Sequence, residues 1–288
     1  MIKSGRLERV PYSLSRYTDV PASKWVWFQA QLAKGYMLAF DPRNATPGHW
    51  SLRPEDTAAL VFWTKDPKSL VEGYDRDIRK YGEYDIKAHV TITGWREVEH
   101  GVMATDDACR WTEGVASRFG PQNVFWRFSP VPILPDYLGI NRPDLGIEGD
   151  GWINRFEHIA KRLQGLTTQC YISFLQPNAR IPETRTAEER VRILRVLANL
   201  AAPYGIEVIL CLEDHTPLPS YPNLRAGVCV PPESFRHPTD KVESCGCVPM
   251  VDPFTINEAC TLSCDYCYTL DTTSNPHKRN TTRLPIVK

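Results

Sequence analysis

The stretch Ala58-Ala-Leu-Val-Phe-Trp63 is apolar throughout and has the length of a strand that is buried on both faces. The polar turn Thr64-Lys65-Asp66-Pro67 follows it, and a helix is predicted over about 68–81. The next apolar run, residues 86–93, alternates cleanly and predicts a second strand. A strand, a helix and another strand in this order indicate a βαβ unit with parallel strands.

The same alternation extends in both directions along the chain. Two small strands, 35–40 and 49–52, flank a turn-rich segment and form an excursion from the main alternation of strands and helices. The five or six β–α steps amount to most of a (β/α) barrel, in which the loops after the carboxyl ends of the strands carry the chemistry. The other predicted strands are 12–15, 123–128, 170–174, 207–212 and 226–230. The other predicted helices are 23–35, with Ser23 as its cap, 106–119, 152–163 and 186–202, with Thr186 as its cap.

Composition excludes several classes of protein. The 288 residues suffice for one large domain or two small ones, and the net charge of +0 gives no global attraction to nucleic acid or to a membrane. No apolar run approaches the length of a membrane span, and no export signal follows the first residues, so a cytoplasmic location is expected. In that compartment the nine cysteines predict a metal centre and not a disulfide framework.

Seven of the nine cysteines lie at or after Cys211, and three of them form the segment Cys260-Thr-Leu-Ser-Cys264-Asp-Tyr-Cys267. Three thiolates at this C-x3-C-x2-C spacing hold three irons of a [4Fe–4S] cluster and leave the fourth iron open to a small molecule. Clusters that only transfer electrons use four cysteines. The segment therefore predicts Cys260, Cys264 and Cys267 as ligands of an open cluster.

Residues 252–268 resemble the cluster loop of radical S-adenosylmethionine enzymes, and are most similar to the spore photoproduct lyase-like group. There an Asn-Pro-Tyr/Phe-Thr stretch precedes the cysteines and a Tyr follows them. The chain as a whole resembles the DUF1848 proteins, a family of unassigned function. The shared segments are Ser15-Arg-Tyr-Thr-Asp-Val-Pro21, Val61-Phe-Trp-Thr-Lys-Asp-Pro67, Trp126-Arg-Phe-Ser-Pro130, Cys211-Leu-Glu213, Cys245-Gly-Cys247 and the final cysteine motif.

The first resemblance implies an enzyme that cleaves S-adenosylmethionine to a 5′-deoxyadenosyl radical, which then abstracts hydrogen from a substrate held in the barrel. It implies a small-molecule or nucleotide substrate, an electron donor such as flavodoxin or ferredoxin, and no membrane partner. Tyr266 and Tyr268, which flank the third cysteine, and Arg16 are the predicted cofactor contacts.

The sequence departs from the radical enzymes in the position of the motif, which in them follows the first strand and here lies near the end. A circularly permuted or incomplete barrel accounts for this, with residues 254–257 as the strand that closes it beside 12–15. Residues 1–230 are then the barrel body and residues 231–288 a Cys-rich segment that closes it. The sequence has no Gly-Gly-Glu segment to hold the methionyl amino group.

Two other classes of function stay open. The three cysteines also suit a structural zinc site whose fourth ligand comes from Cys245, Cys247 or His277, in a protein of other activity. Alternatively, the similarity to photoproduct lyases extends to the substrate, and the protein modifies or repairs nucleic acid.

Cys211, Cys229, Cys245 and Cys247 form a second set of candidate ligands. Cys211 and Cys229 each end a predicted strand and so belong to one face of the barrel, which suggests an auxiliary [4Fe–4S] cluster. Ordinary burial as small apolar side chains is the alternative for these two residues.

Charged residues at the predicted strand ends are the remaining candidates. Such residues either pair with one another in ion pairs of purely structural role, or line a pocket for a cosubstrate carboxylate or a polar substrate. His89 alternates with the apolar residues of its strand and is expected to be a core histidine. The predicted catalytic residues are Arg16, Asp19, Lys65, Arg127 and Glu213.

Overall fold

The structure is a computed structural model, and the part of the chain that it describes contains nine strands and six α-helices. It describes residues 9–14, 16–40, 47–131, 151–175, 186–211, 216–236, 243, 246–253 and 260–267. The strands are β1 (Val10–Leu14), β2 (Tyr36–Phe40), β3 (Pro47–Ser51), β4 (Thr57–Thr64), β5 (Ile86–Thr91), β6 (Val124–Val131), β7 (Gln169–Phe174), β8 (Glu207–Cys211) and β9 (Leu224–Gly227). The helices are α1 (Val20–Ser23), α2 (Trp25–Lys34), α3 (Lys68–Gly73), α4 (Thr105–Phe119), α5 (Gly151–Arg162) and α6 (Ala187–Ala201).

Seven strands form one parallel sheet in the order β1-β4-β5-β6-β7-β8-β9, which is also their order along the chain. The predicted excursion is confirmed, because β2 and β3 pair only with each other, antiparallel. From β4 to β8, each pair of neighbouring strands in the sheet is connected through a helix, as the alternating sequence predicts.

Residues 248–251 lie against the edges of this sheet. The amide of Val248 donates to the carbonyl of Val230, just beyond β9, at 3.0 Å. Val251 lies beside Tyr12 of β1 in a parallel bridge, and its amide donates to the carbonyl of Pro11 at 3.0 Å. Residues 248–251 therefore contact both edge regions. The predicted closing strand at 254–257 lies outside the described residues.

The two faces of the sheet bury different side chains. One face carries Leu60, Phe62, Val90, Trp126 and Val208, and the helices cover it with buried side chains of their own. The opposite face, which we call the inner face, is lined by Ala59, Val61, Phe125, Tyr171 and Ile209. Alternate residues of each strand point to opposite faces, so both faces of the same strands are apolar.

Two helices differ from their predicted bounds. Ser23 was expected to cap the first long helix, but Asp19 caps a short helix before it by accepting from the amide of Ala22 at 3.0 Å. The helix predicted over 68–81 is α-helical only to Gly73 and continues as a π turn. There the indole of Trp25 donates to Asp77 Oδ2 at 2.9 Å, and a side chain at Gly73 would collide with that indole.

The segment after residue 230 packs against both faces of the sheet. Cys247, Val248 and Met250 pack with Ala59 and Val61 on the inner face. Leu262, Cys264 and Tyr266 pack in the core on the helix-covered side. The predicted division at residue 230 stays a prediction, and the two parts share their hydrophobic cores.

Candidate functional site

Asp19 lies just after the carboxyl end of β1 and joins it to the end of β4. Its carboxylate accepts from the hydroxyl of Thr64 at 2.8 Å and from the amide of Lys65 at 2.6 Å, besides capping α1. The side chain is buried, and burial raises the pKa of Asp19 to about 6 in spite of these donors. Its catalytic role stays a prediction, and its contacts position the loops around the site.

This raised pKa predicts a particular dependence of stability on pH. A carboxyl group whose pKa is higher in the folded than in the unfolded state adds stability below the unfolded pKa, and this contribution is lost as pH rises through the folded pKa. Between about pH 4 and pH 7 the free energy of unfolding is expected to fall by about 2 kcal/mol more in the wild type than in the Asp19→Asn variant.

Urea unfolding of both proteins across this pH range measures the difference. Asp107→Asn in the first turn of α4 removes an exposed carboxylate and is the matched control, which should follow the wild-type curve. Parallel curves for wild type and Asp19→Asn would contradict a raised pKa at Asp19.

Lys65 and Glu99 form a buried ion pair where β4 and β5 end. The ammonium nitrogen lies 2.7 Å from Glu99 Oε1, and the side chains are 14% and 2% exposed. The same carboxylate oxygen accepts from the hydroxyl of Thr93 at 2.7 Å and from the hydroxyl of Tyr266. Three donors on one buried carboxylate explain why this charge is tolerated in the interior. Lys65 is thus engaged with Glu99, and its catalytic role stays a prediction.

Tyr266 carries this network into the cysteine loop. Lys65 Nζ lies 5.6 Å from the centre of the Tyr266 ring, in addition to their shared carboxylate. Burial, and then the charge of Glu99, raise the pKa of the Tyr266 hydroxyl, so it stays a donor. Its predicted contact with a cofactor is untested, and its contact with Glu99 fixes the loop to the sheet.

Backbone contacts hold the cysteine loop on the segment that follows β5. The amide of Gly101 donates to the carbonyl of Leu262 at 3.0 Å, and the amide of Asp265 donates to the carbonyl of Val98 at 2.9 Å. On the other side, Ser23 Oγ accepts from the amide of Thr261 at 3.1 Å. The loop therefore lies at the carboxyl ends of β1, β4 and β5, where parallel α/β folds place their active sites.

The three thiol groups of the loop are not equally buried. Cys264 is buried, whereas Cys260 and Cys267 are half-buried. The amide of Cys267 donates to the carbonyl of Cys264 at 3.0 Å, which folds the C-x2-C part into a turn. Burial raises the pKa of the Cys264 thiol to about 12, and the charges of Glu99, Cys267 and Cys260 add to this effect. A cation bound at these sulfurs would offset that cost.

A second group of cysteines gathers on the inner face. Cys229 Sγ lies 3.6 Å from Cys247 Sγ, and the Cys211 thiol also hydrogen-bonds to Cys229. These two thiols and the charge of Arg127 hold the pKa of Cys229 well below its usual range. The structure thus brings together three of the four cysteines that were predicted as a second ligand set. Cys245 lies outside the described residues.

His89 and Arg127 lie on the same face as this second group. The His89 ring stacks between Trp63 and Phe125, with ring centres 4.1 and 4.7 Å away. The Arg127 guanidinium lies 5.2 Å from the centre of the Trp63 ring. Burial, and then the charge of Arg127, lower the pKa of His89 to about 3, so its imidazole is neutral at pH 7.

The remaining predicted residues are partly described. Arg16 pairs with Asp252 at 3.3 Å, which links the end of β1 to the segment before the cysteine loop. Glu213 and Tyr268 lie outside the described residues. Among the residues that are described, no group of three or more His, Cys, Asp or Glu side chains forms a ready metal site. Within the described ranges, no helix has the length and apolar character needed to cross a membrane.

Sequence reasoning missed Glu99, Ser23 and Gly101 as parts of the site. Glu99 and Gly101 follow the strand at 86–93 by several residues, and no motif marks them. Ser23 is a residue type that favours helix caps, so its sequence position gave no indication of its contact with the cysteine loop. The only available signal was that all three follow strand ends or open a helix.

The fold and these residues define an α/β protein with a parallel sheet and two groups of cysteines on it. A family model described as Domain of unknown function (DUF1848) matches residues 12–269. The chain belongs to the DUF1848 family. No curated protein matches the sequence, and no solved structure matches it.

Proposed function

We propose that this protein is a radical S-adenosylmethionine enzyme. The observation that supports this most directly is the C-x3-C-x2-C loop, which is fixed at the carboxyl ends of β1, β4 and β5 through Ser23, Val98 and Gly101. A site at this end of a parallel sheet opens onto the face where substrates bind in such folds.

The donor set of the loop fits a [4Fe–4S] cluster. No described cysteine forms a disulfide, and the amide of Cys267 bonds to the carbonyl of Cys264, so the thiols belong to one short loop. A bound cluster would have to draw the three sulfurs together, because the described residues form no ready metal site. Cys260, Cys264 and Cys267 would hold three irons. When bound, such a cluster supplies the electron that cleaves S-adenosylmethionine to methionine and a 5′-deoxyadenosyl radical.

The chain's own residues position the loop. Glu99 accepts from Lys65, Thr93 and Tyr266, and so ties β4, β5 and the loop to one buried carboxylate. Arg16 supplies a partly exposed cation beside Asp252, and we assign it to the carboxylate of the cosubstrate. Tyr266 and Tyr268 remain the proposed aromatic contacts of the cofactor.

We further infer that the sheet closes into a (β/α) barrel of permuted order. Residues 248–251 take the place of the last strand in this proposal, because they hydrogen-bond beyond β9 at Val230 and along β1 at Pro11 and Ser13. The inner face would then be the barrel interior. Its lining of Val61, Phe125 and Tyr171 has the apolar character of such an interior.

The decisive experiment is anaerobic purification followed by iron and sulfide analysis and an assay of S-adenosylmethionine cleavage. The Cys264→Ala variant is expected to lose the cluster and to lower 5′-deoxyadenosine formation by at least about a thousandfold, since the cofactor carries the reaction. Cys109→Ala, a buried cysteine of α4 away from both groups, is the matched control and should keep both properties.

Other outcomes identify other functions. A colourless protein that contains zinc and no sulfide would overturn the proposal in favour of a zinc-stabilised protein. A protein with the cluster whose affinity for DNA falls steeply with salt would identify nucleic acid as the substrate.

A further inference from the structure

The second cysteine group is built from three separate parts of the chain. Cys211 ends β8, Cys229 follows β9 by two residues, and Cys247 lies in the segment that reaches β1. Their thiols meet at Cys229, which contacts both others. Side chains so far apart in sequence reach one point only because the sheet places its strand ends together.

Two of these sulfurs are at the distance of a thiol–thiol hydrogen bond, and this distance also suits two ligands of a single metal ion. Two thiolates bound tetrahedrally at about 2.3 Å from one ion lie about 3.8 Å apart. The 3.6 Å between Cys229 and Cys247 is close to this value and far from the sulfur–sulfur bond of a disulfide, about 2.05 Å. Cysteines of a [4Fe–4S] cluster bind different irons and are more widely spaced.

Two buried nitrogen atoms on the inner face lack partners among the described residues. They are Nδ1 of His89 and Nη1 of Arg127. His89 is 1% exposed, and its neighbours Trp63 and Phe125 offer only ring faces. The centre of the His89 ring lies 4.7 Å from that of Phe125 and 5.9 Å from that of Tyr171, and Cys229 packs against the same cluster, so the imidazole and the thiol group are neighbours. A buried polar atom without a partner in a native structure calls for an explanation, such as an ion that it binds.

We propose that Cys211, Cys229 and Cys247 bind one thiophilic divalent metal ion, such as Zn²⁺ or Fe²⁺, with His89 Nδ1 as the nitrogen ligand. Cys₃His is a common donor set for such ions. Three thiolates carry three negative charges, and the ion together with the neighbouring Arg127 supplies three positive charges. The buried site is therefore neutral, which is the condition for burying charge without a large penalty.

Metal binding must also move at least one of these side chains, because the described residues do not form a ready site. The proposal does not rest on the radical enzyme function. The two cysteine groups lie on different elements, since Cys260 contacts Ser23 of α1 whereas Cys229 packs against Phe125, Tyr171 and Ile209 of the sheet.

The test uses Co²⁺, whose thiolate charge-transfer and visible bands report the ligands and the geometry. The full-length chain with Cys260, Cys264 and Cys267 all replaced by Ala lacks the other cysteine group. We expect it to bind one Co²⁺ per chain, with charge-transfer bands of thiolate ligation and the intense visible bands of tetrahedral cobalt. Circular dichroism of this variant checks that it is folded.

Further substitutions in that background identify the ligands. Cys229→Ser is expected to abolish the thiolate bands, and His89→Gln to weaken Co²⁺ binding by at least about tenfold and to shift the visible bands. Cys170→Ala, buried on the helix-covered side, is the control and should bind as before. If the background variant is unstable, competition between Co²⁺ and Zn²⁺ in the wild type and in its Cys229→Ser variant measures the same site.

Three results would overturn the proposal. The folded background variant binds no Co²⁺, or Co²⁺ binding survives Cys229→Ser, or the background variant retains acid-labile sulfide. The last result would identify an auxiliary cluster instead of one ion. A wild type without iron or sulfide whose background variant still binds Co²⁺ would remove the proposed function and leave this site standing.

Discussion

Replacing Lys65 by Met is expected to lower the free energy of unfolding by about 3–5 kcal/mol. The substitution leaves the Glu99 carboxylate 2% exposed and without its cationic partner, while Thr93 and Tyr266 can donate only neutral hydrogen bonds. Removal of one partner of a buried pair costs more than the pair contributes, because the remaining charge stays desolvated. Urea unfolding at pH 7 measures the loss.

Two further variants separate the loss of the ion pair from other effects. Lys161→Met removes an exposed lysine in the last turn of α5 and should change the free energy of unfolding by less than about 0.5 kcal/mol. Lys65→Met combined with Glu99→Gln removes both charges and should recover a large part of the stability. If Lys65 acts only through Glu99, this double variant also regains 5′-deoxyadenosine formation, whereas a catalytic Lys65 leaves it inactive. A single variant as stable as the wild type would contradict the buried pair.

The Gly101→Ala variant is expected to have an iron content per chain that is on the order of tenfold lower than that of the wild type, while the rest of the protein stays folded. An added Cβ at Gly101 would lie 2.6 Å from the carbonyl oxygen of Thr261 and 2.9 Å from Cα of Leu262. Both atoms belong to the backbone of the cysteine loop, so no side-chain rotation relieves the collision and the loop must shift. Iron content per chain after anaerobic reconstitution measures the effect.

Gly48→Ala in β3 is the matched control for this substitution. Its Cβ would meet only Trp50 Nε1 at 3.6 Å, which is an ordinary contact. The control should keep its iron, and the thermal midpoint of Gly101→Ala should change far less than its iron content. Full iron loading of Gly101→Ala would show that the cysteine loop does not need its contact with residues 98–101.

The strand pattern was largely predictable because it depends on local sequence. The run at 58–63 became β4, and the alternating run at 86–93 became β5. The Thr186 cap was also correct, since its hydroxyl and the side chain of Glu189 form a capping box at the start of α6. Each of these features depends on neighbours within a few residues along the chain.

The errors arose where distant residues decide local structure. Ser23 looks like the cap of the first long helix, but that helix starts after Lys24, which makes no side-chain cap, and the Ser23 hydroxyl contacts Thr261, 238 positions away. The helix predicted over 68–81 changes to a π turn where Asp77 bonds to the indole of Trp25. In both places a long-range hydrogen bond competes with a local preference and determines the outcome.

The sequence by itself determined the order of the strands, the parallel α/β class and the two sets of cysteines, because apolar periodicity and residue spacing are properties of the chain alone. Only the tertiary structure decided that Cys247 joins Cys229 on the inner face, and that Glu99 binds Lys65 and Tyr266 beneath the cysteine loop. These contacts depend on which strand ends the parallel register brings together. Burial then makes them specific, since a buried charge or thiol is tolerated only where the fold supplies its partner.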